Sequence, residues 1–404
     1  MQKSFWNLND FNFNGKTVLV RADFNVPLDK DCKITDDKRI RAAIPTIKFL
    51  LKSNAKVVLI SHLGRPLGIN EKLRMDPIAN CLKKLLNHRI IKLNDCVGDN
   101  IQNIVANMQN QDIILLENLR FYNEEENNSK DFAQALANLA DIYVNDAFGT
   151  MHRAHASVDA ITNFLPSCVG FLVEKEIAAL KILLKAKKKN FVAIMGGAKI
   201  SDKIKLMNTL ANKVEFLLVG GAMAFTFLKS QKKNVGKSLV ENKMAGFAKN
   251  LLNRHKNIIL PLDIATTKYP LKKSKTITVL AKNIPSNFTG LDIGTQTTKL
   301  FESYLQKAHT IFWNGPLGMC EIAQFCTGTK KIAKFIASKK CTKIVGGGDT
   351  AEIIDKLKLS KKFTHVSTGG GATLDFIENG TLPGIIALER SFNKFKKYKK
   401  NTRI

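Results

Sequence analysis

A chain of 404 residues is too long for one ordinary hydrophobic core and long enough for two domains of usual size. With 45% hydrophobic and 24% charged residues, and no run approaching the roughly 20 apolar residues of a membrane span, it belongs with soluble globular proteins and not with membrane-spanning ones. Lys+Arg 63 against Asp+Glu 34 leaves +29, which favours anionic partners from nucleic acid to phosphorylated metabolites, but the lysines are spread along the whole chain instead of forming one stripe.

The first ten residues mix polar and aromatic types and lack the basic start, apolar middle and small-residue cleavage site of a secretory signal, so a cytosolic protein is expected. Short apolar runs at 17–20, 56–60, 113–116 and 142–144 leave room for a helix between each pair, the requirement of parallel strands. The first runs into Arg21, Asp23 and Asn25, polar side chains at alternating positions that share one face of an extended segment. Asp36 and Asp37 open a helix that carries Arg39 at its start and Ile40, Ile44 and Ile47 on its apolar face. The next strand ends at Ser61, His62, Leu63, Gly64 and Arg65, with His62 open to two readings, a ligand contact or a buried hydrogen-bonded residue. Arg120 follows the third strand and Arg153 the fourth. Planar guanidinium forks gathered along one sheet edge suit a small, multiply anionic ligand. His152 and His155 are spaced like metal ligands, but no third ligand follows.

The segment 174–186 places Ile177, Leu180 and Leu184 on one helical face and is expected to join two halves. Beyond it, runs at 191–195, 215–219, 258–260, 310–313, 343–345 and 364–366 repeat the plan. The expected fold is α/β, two doubly wound parallel-sheet (Rossmann-like) domains: residues 1–172, a joining helix at 173–187, residues 188–388, and a segment 389–404 returning to the first domain. The basic tail from 394 to 403 reads as a solvated surface. Seven scattered cysteines, odd in number and never in a C-x-x-C pair, read as free thiols.

Four strands of the second half end in glycine pairs or triplets: Gly196-Gly197, Gly220-Gly221, Gly346-Gly347-Gly348 and Gly369-Gly370-Gly371. Glycine after a strand admits close backbone approach, and a helix starting there aims N–H groups and a positive dipole end at an anion. After Gly197 come Ala198 and Lys199, with Ser201 as the expected cap of a helix whose first turn holds Lys203. A lysine at that end of a helix is disfavoured unless an anion sits there too, which points to bound phosphate.

In order and spacing, the segments 21–27, 61–66, 146–157, 196–203, 312–318, 346–350 and 367–371 resemble the phosphoglycerate kinase family, and the likeness extends from about residue 16 to about residue 388. The resemblance implies that the first domain holds 3-phosphoglycerate or 1,3-bisphosphoglycerate through Arg21, Asp23, Asn25, Arg39, His62, Leu63, Gly64, Arg65, Arg120 and Arg153. It implies that the second holds ATP or ADP through Gly197, Ala198, Lys199, Lys203, Asn314, Glu321, Gly346, Gly347, Gly348, Asp349 and Thr350, with Glu321 at the ribose and Asp349 nearest Mg²⁺. Arg39, Lys199, Gly370 and Gly371 would serve the transferring phosphoryl group. A cytosolic monomer without membrane or specific nucleic-acid partner is the corresponding expectation. Ala222, Cys320 and Asp375 stand where many members carry glycine, an aromatic residue and glutamate. Two alternatives weighed on the residues alone are a basic nucleic-acid-binding protein and a nicotinamide dehydrogenase. The second lacks a G-x-G-x-x-G after the first strand of either half.

Overall fold

The computed structural model describes residues 4–396 and divides into two compact units, Met1–Ala178 with Thr381–Ile404, and Ala179–Gly380. Of the basic tail expected from 394 to 403, the part beyond Lys396 lies outside the described residues.

The first unit is built on strands β1 (Trp6–Asn7), β2 (Thr17–Ala22), β3 (Lys56–Ile60), β4 (Ile91–Lys92), β5 (Ile113–Leu115), β6 (Ile142–Asp146) and β7 (Ser167–Val169). They form one sheet in the order β1-β7-β6-β2-β3-β5-β4, with every pairing parallel. Its central strands are nearly continuous apolar runs because both faces are covered. Val18, Val20, Val57, Leu59, Ile113 and Ile142 point into one core, where helices α1 (Lys38–Lys52) and α2 (Asp76–Leu86) supply Ile40, Ile47, Leu50, Ile78 and Leu82. Leu19, Val58, Ile60, Ile114 and Tyr143 point into the other, closed by α3 (Asp99–Ala106), the single turn α4 (Asn123–Glu126) and α5 (Lys130–Ala137). The period-2 alternation of a strand thus divides each run between two cores.

Helix α6 (Phe171–Lys185) leaves this unit, and the division between units falls inside it. Asp146, buried at the end of β6, accepts from the Leu172 and Val173 N–H groups at the helix start, and a Cβ on Gly170 would lie 2.3 Å from its carboxylate oxygen.

The second unit carries β8 (Phe191–Met195), β9 (Phe216–Val219), β10 (Asn234–Val235), β11 (Ile258–Ile259), β12 (Asp263–Thr267), β13 (Ile277–Leu280), β14 (Asn283–Ile284), β15 (Thr289–Ile293), β16 (Thr310–Asn314), β17 (Thr342–Gly346) and β18 (His365–Val366). Its main sheet, β11-β9-β8-β16-β17-β18, is parallel throughout. The helices are α7 (Ile204–Lys213), α8 (Met223–Ser230), α9 (Ala245–Arg254), α10 (Thr295–Gln306), α11 (Thr327–Ser338), α12 (Gly348–Lys356) and α13 (Gly371–Asn379). The last helix, α14 (Pro383–Phe395), packs in the first unit, where Phe392 meets Trp6 edge-on and Arg390 binds Asp159 at 2.7 Å.

Four differences from the sequence reading have physical causes. A three-stranded antiparallel sheet, β13-β12-β15, and the pair β10-β14 join the two parallel sheets; the latter, like β1 and β4, are two residues long and carry no readable period. The return to the first unit begins at Thr381, ahead of residue 389, because Gly380 ends α13 in a left-handed conformation and Pro383 starts α14. Ser201 is not a helix cap: it lies in a 3₁₀ turn, its hydroxyl bonded to Glu241 at 2.6 Å, and Lys203 precedes α7. Cys320 and Cys326 are not free thiols but a disulfide, since the turn between them brings their Cα atoms to 4.5 Å.

Three glycines at the ends of the central strands interlock. A Cβ on Gly315 would come within 2.2 Å of the Gly196 carbonyl oxygen, one on Gly196 within 2.1 Å of the Pro316 carbonyl oxygen, and one on Gly221 within 2.7 Å of the Gly197 backbone. Gly315 also holds φ +87, a left-handed value that side chains resist. Gly315→Ala is therefore expected to destabilise the second unit by about 3 kcal/mol or more, combining overpacking against backbone with αL strain, as read by urea denaturation.

Candidate active site

In the first unit the ligand-type residues collect where β2, β3, β5 and β6 end, the edge at which open parallel sheets bind small molecules. Arg39, on the first turn of α1, donates to both carboxylate oxygens of Asp23 at 2.9 and 3.2 Å and to the Asn25 carbonyl at 3.2 Å. The Asn25 side chain accepts from the Gly64 N–H at 2.9 Å, which fastens the turn after β3 to the turn after β2. Arg120 donates to the Gly64 carbonyl at 2.7 Å and pairs with Glu126 at 3.0 Å. Arg65 is exposed and Arg153 half-buried beside His152.

Arg21 is the interior member of this group, 1% exposed. Its Nε donates to the Ser157 hydroxyl at 2.8 Å, and its remaining nitrogens reach the Ala22 carbonyl and His62 Nδ1. It works through His62, not as a surface fork. Burial, reinforced by Arg21, Arg120 and Arg39, pushes the His62 pKa well below the usual histidine range, so the ring is neutral at physiological pH. Because arginine can only donate, Nδ1 accepts from Arg21 and the ring proton resides on Nε2. His62 is thus both buried and a fixed donor, which joins the two readings of this residue. His155, lowered by burial and by Arg21, Arg120 and Arg153, falls to about 4 and is neutral as well.

Supporting residues here escaped the sequence reading. Glu125, fully buried, accepts from the Ser157 N–H and hydroxyl at 2.9 and 2.6 Å and lies 3.9 Å from Arg21. Asn118 accepts from the Leu63 and Arg120 N–H groups and donates to the Leu63 carbonyl. Leu63 itself is buried and contributes its backbone to this brace. The acidic run Glu124 to Glu126 soon after Arg120 was the available signal for Glu125; Asn118 had none beyond its place after a strand.

In the second unit the turns at Gly220, Gly346 and Gly369 run into helices α8, α12 and α13, whereas the turn at Gly196 runs first into the 3₁₀ turn Ser201–Lys203. Gly347 (φ +91) and Gly370 (φ +54) each precede a helix, α12 and α13, whose first N–H groups open at the carboxyl ends of β17 and β18. A Cβ on Gly348 or Gly370 would meet nothing within 4 Å, whereas one on Gly347 would strike the Asn314 side chain at 2.6 Å. Asn314 donates to the Gly346 carbonyl at 3.0 Å, and its buried Oδ1 has no hydrogen-bond partner. Thr350, fully buried, accepts from the Gly315 N–H at 2.7 Å and braces the interlocked glycines. Ala198, Lys199 and Asp349 are exposed on these turns, and Glu321 is exposed in a cleft of about 460 Å³ that Asp349 also lines. Gly371 is exposed at the first position of α13.

Lys203 donates to the Gly196 carbonyl at 2.9 Å, and burial pushes its ammonium pKa down to about 8 against the opposing pull of Asp349 and Asp202. A partly buried lysine in a glycine turn awaits an anion. Glu241 holds this turn from outside, accepting from the Ile200 N–H and from the Ser201 N–H at 3.2 Å. No sequence pattern marked it, because it reaches the turn only through the fold.

An oxygen-lined seat for Mg²⁺ fits these residues in a limited way. Among the described residues no three His, Cys, Asp or Glu side chains form a metal cluster, and Asp349 offers one hard carboxylate at a helix start. That suits a cation held mainly by phosphate oxygens and water.

Because a bound anion favours the charged form of Lys203, binding inorganic sulfate, which does not itself titrate near neutrality, is expected at pH 8 to take up protons, a fraction of one per site. Calorimetry in two buffers of different ionisation enthalpy measures this, and Lys203→Gln should abolish the uptake.

Comparison with known proteins identifies the family. The family profile for phosphoglycerate kinase matches residues 8–380. The chain is 48% identical over 393 residues to phosphoglycerate kinase of Dictyoglomus turgidum, spanning 96% of this chain and 99% of that one. It is 44% identical over 398 residues to phosphoglycerate kinase 3, cytosolic, of Arabidopsis thaliana, spanning 96% and 99%. The structure of phosphoglycerate kinase from Coxiella burnetii matches with a TM-score of 0.86 at 36% identity, over 96% of this chain and 99% of that one. With likeness in sequence and fold extending along nearly its whole length, the chain belongs to the phosphoglycerate kinase family.

Proposed function

We propose that the chain transfers a phosphoryl group reversibly between 1,3-bisphosphoglycerate and ADP, giving 3-phosphoglycerate and ATP, as a cytosolic monomer in glycolysis or gluconeogenesis. The observation that carries this reading is the division of labour between the units, one with an arginine-lined sheet edge and the other with glycine turns opening helix starts. The family match replaces the nucleic-acid-binding alternative that the +29 charge suggested. The cytosolic name of the Arabidopsis relative supports the location.

In this reading Asp23, Asn25, His62, Arg65, Arg120 and Arg153 hold the glycerate and its phosphate. Arg21 orients His62 so that Nε2–H can donate to a carboxylate or phosphate oxygen. Gly197, Ala198, Lys199, Lys203 and the Gly346 to Thr350 turn hold the nucleotide phosphates, with Glu321 at the ribose and Asn314 supplying an unpaired buried acceptor. Asp349 would hold Mg²⁺, which supplies neutralising charge on the polyphosphate when bound.

The attacking carboxylate is already ionised at neutral pH, so no general base is required. The transition state spreads charge over three equatorial oxygens, and its stabilisation is a matter of alignment and positive charge. Lys199 approaches these oxygens from the second unit and Arg39 from the first, while the N–H groups at Gly370 and Gly371 receive the remainder. Arg39 is pre-set for this role, since Asp23 holds its fork in place. With donor and acceptor on different units, the units must approach each other for direct in-line transfer and exclude water as a competing acceptor. The chain crosses between units within α6 and again after Gly380, and these crossings are the hinge candidates.

A coupled assay with Mg·ATP and 3-phosphoglycerate tests the reaction. Lys199→Ala is expected to lower kcat by roughly 10³-fold with little change in nucleotide KM, as for other charge-stabilising side chains in phosphoryl transfer; a loss under about tenfold would remove Lys199 from the chemistry. Small-angle scattering should show compaction only when both substrates are present. An unchanged radius of gyration would argue against closure.

A further inference from the structure

The Cys320–Cys326 bond encloses a seven-residue ring on the rim of the cleft assigned above to the nucleotide. Glu321 is the first residue inside it. Its neighbour Cys320 is half-buried and Cys326 is 2% exposed, and both cysteines line the same cleft of about 460 Å³ as Glu321, Pro316 and Asp349.

The ring is anchored at the Met319 end and at Gln324, and a bond from Phe325 to Ile322 stiffens it internally. The Met319 N–H donates to the Leu291 carbonyl at 2.8 Å, the Phe325 N–H to the Ile322 carbonyl at 2.9 Å, and the Phe325 side chain is fully buried. The side chain of Gln324 accepts from the Lys273 N–H at 2.9 Å and donates to the Ser274 carbonyl at 3.1 Å, tying the ring to the loop that joins β12 to β13. Asp292 accepts from the Gly328 N–H at 2.8 Å and fixes the start of α11 just beyond. The Ile322 N–H donates to the Met319 carbonyl at 3.2 Å, closing a turn over Cys320 and Glu321, and the disulfide ties that turn to Cys326 beside the buried Phe325. Glu321 itself shows no hydrogen bond or ion pair among the described residues, so its carboxylate takes its position from the backbone beneath it.

We propose that the Cys320–Cys326 disulfide is a positioning element for nucleotide recognition: closed, it presents the Glu321 carboxylate to the ribose hydroxyls, and opened by a dithiol, it weakens nucleotide binding while leaving the phosphoryl-transfer machinery intact. The inference rests on the ribose role proposed for Glu321. A rigid, pre-set acceptor loses less conformational entropy on binding than one on a loose loop, so the benefit appears in affinity and not in turnover. In the opening step, a thiolate of the dithiol attacks Sγ of Cys320, the more exposed of the two cysteines. The Sγ–Sγ bond breaks and Cys326 leaves as a thiolate that takes up a proton. The second thiol of the reagent then resolves the mixed disulfide, releasing Cys320 as a thiol, so two electrons pass to the protein and the dithiol is oxidised to its cyclic disulfide.

The test compares untreated protein, protein reduced with dithiothreitol, and the Cys320→Ser/Cys326→Ser double variant. Thiol titration after denaturation without reductant should find five free cysteines in untreated protein, those of Cys32, Cys81, Cys96, Cys168 and Cys341. Reduction and the double variant should each raise the nucleotide KM roughly three- to tenfold, the effect of losing about one hydrogen bond's net contribution. The KM for 3-phosphoglycerate, kcat and the inhibition constant of tripolyphosphate, which lacks a ribose, should stay within about twofold. Seven free thiols in untreated protein, or a nucleotide KM that ignores reduction, would overturn the proposal. So would a parallel loss of tripolyphosphate affinity and kcat, which signals general loosening. Glu321→Ala separates the two layers of argument. It should weaken nucleotide binding and no longer respond to dithiothreitol; no effect of this variant on nucleotide KM would remove the ribose assignment itself, whereas weakened binding alongside a wild type indifferent to reduction would remove only the disulfide's role.

Discussion

Close backbone approach at the carboxyl ends of β8 and β16 is the constraint on which the second unit depends. Gly196, Gly221 and Gly315 meet where no Cβ fits, and the Thr350 hydroxyl ties the Gly315 N–H to the start of α12. The result is a surface of main-chain amides with few side chains in the way, suited to a polyphosphate whose charge is spread over many oxygens. Glycine here is a steric requirement that also creates a binding surface.

The first unit solves a different problem, that of keeping several arginines together before an anion arrives. Asp23 holds Arg39, Glu126 meets Arg120, and Glu125 lies close to the buried Arg21. The two nearby histidines reduce the repulsion further by remaining neutral, since burial and the arginines disfavour their charged forms. A ligand carrying both carboxylate and phosphate would replace this partial compensation with direct pairing. The fixed tautomer of His62 follows from the same crowding.

Side-chain braces connect these surfaces to the scaffold. Glu241 clamps the turn that carries Lys199, Asn118 joins the turns after β3 and β5, and the Cys320–Cys326 ring carries Glu321. Each is far in sequence from what it supports, or is linked to it by a bond invisible in one dimension. The large positive charge has no counterpart in this architecture: lysines occur on both units and on most helices, and nothing in the site requires more than a few of them.

The parallel strands of both units were legible from their apolar runs, because burial on two faces leaves continuous hydrophobic stretches that few other structures require. The glycine turns and the arginines were legible from position, since the end of a parallel strand is where such sheets bind ligands. The two-residue strands β1, β4, β10 and β14 and the antiparallel β13-β12-β15 sheet were not, because short or half-exposed strands carry little periodic signal. Nor could local pattern reveal that Arg21 turns inward, that Ser201 serves Glu241 instead of a helix, or that two of seven cysteines pair. The amino-acid sequence by itself determined the fold class, the family and the inventory of charged and glycine residues at the strand ends, all of which depend on local composition and order. Only the tertiary structure decided which of those residues are exposed at the strand ends and which are buried and hold the others in place, because hydrogen bonds, burial and pKa depend on distances that chain folding alone creates.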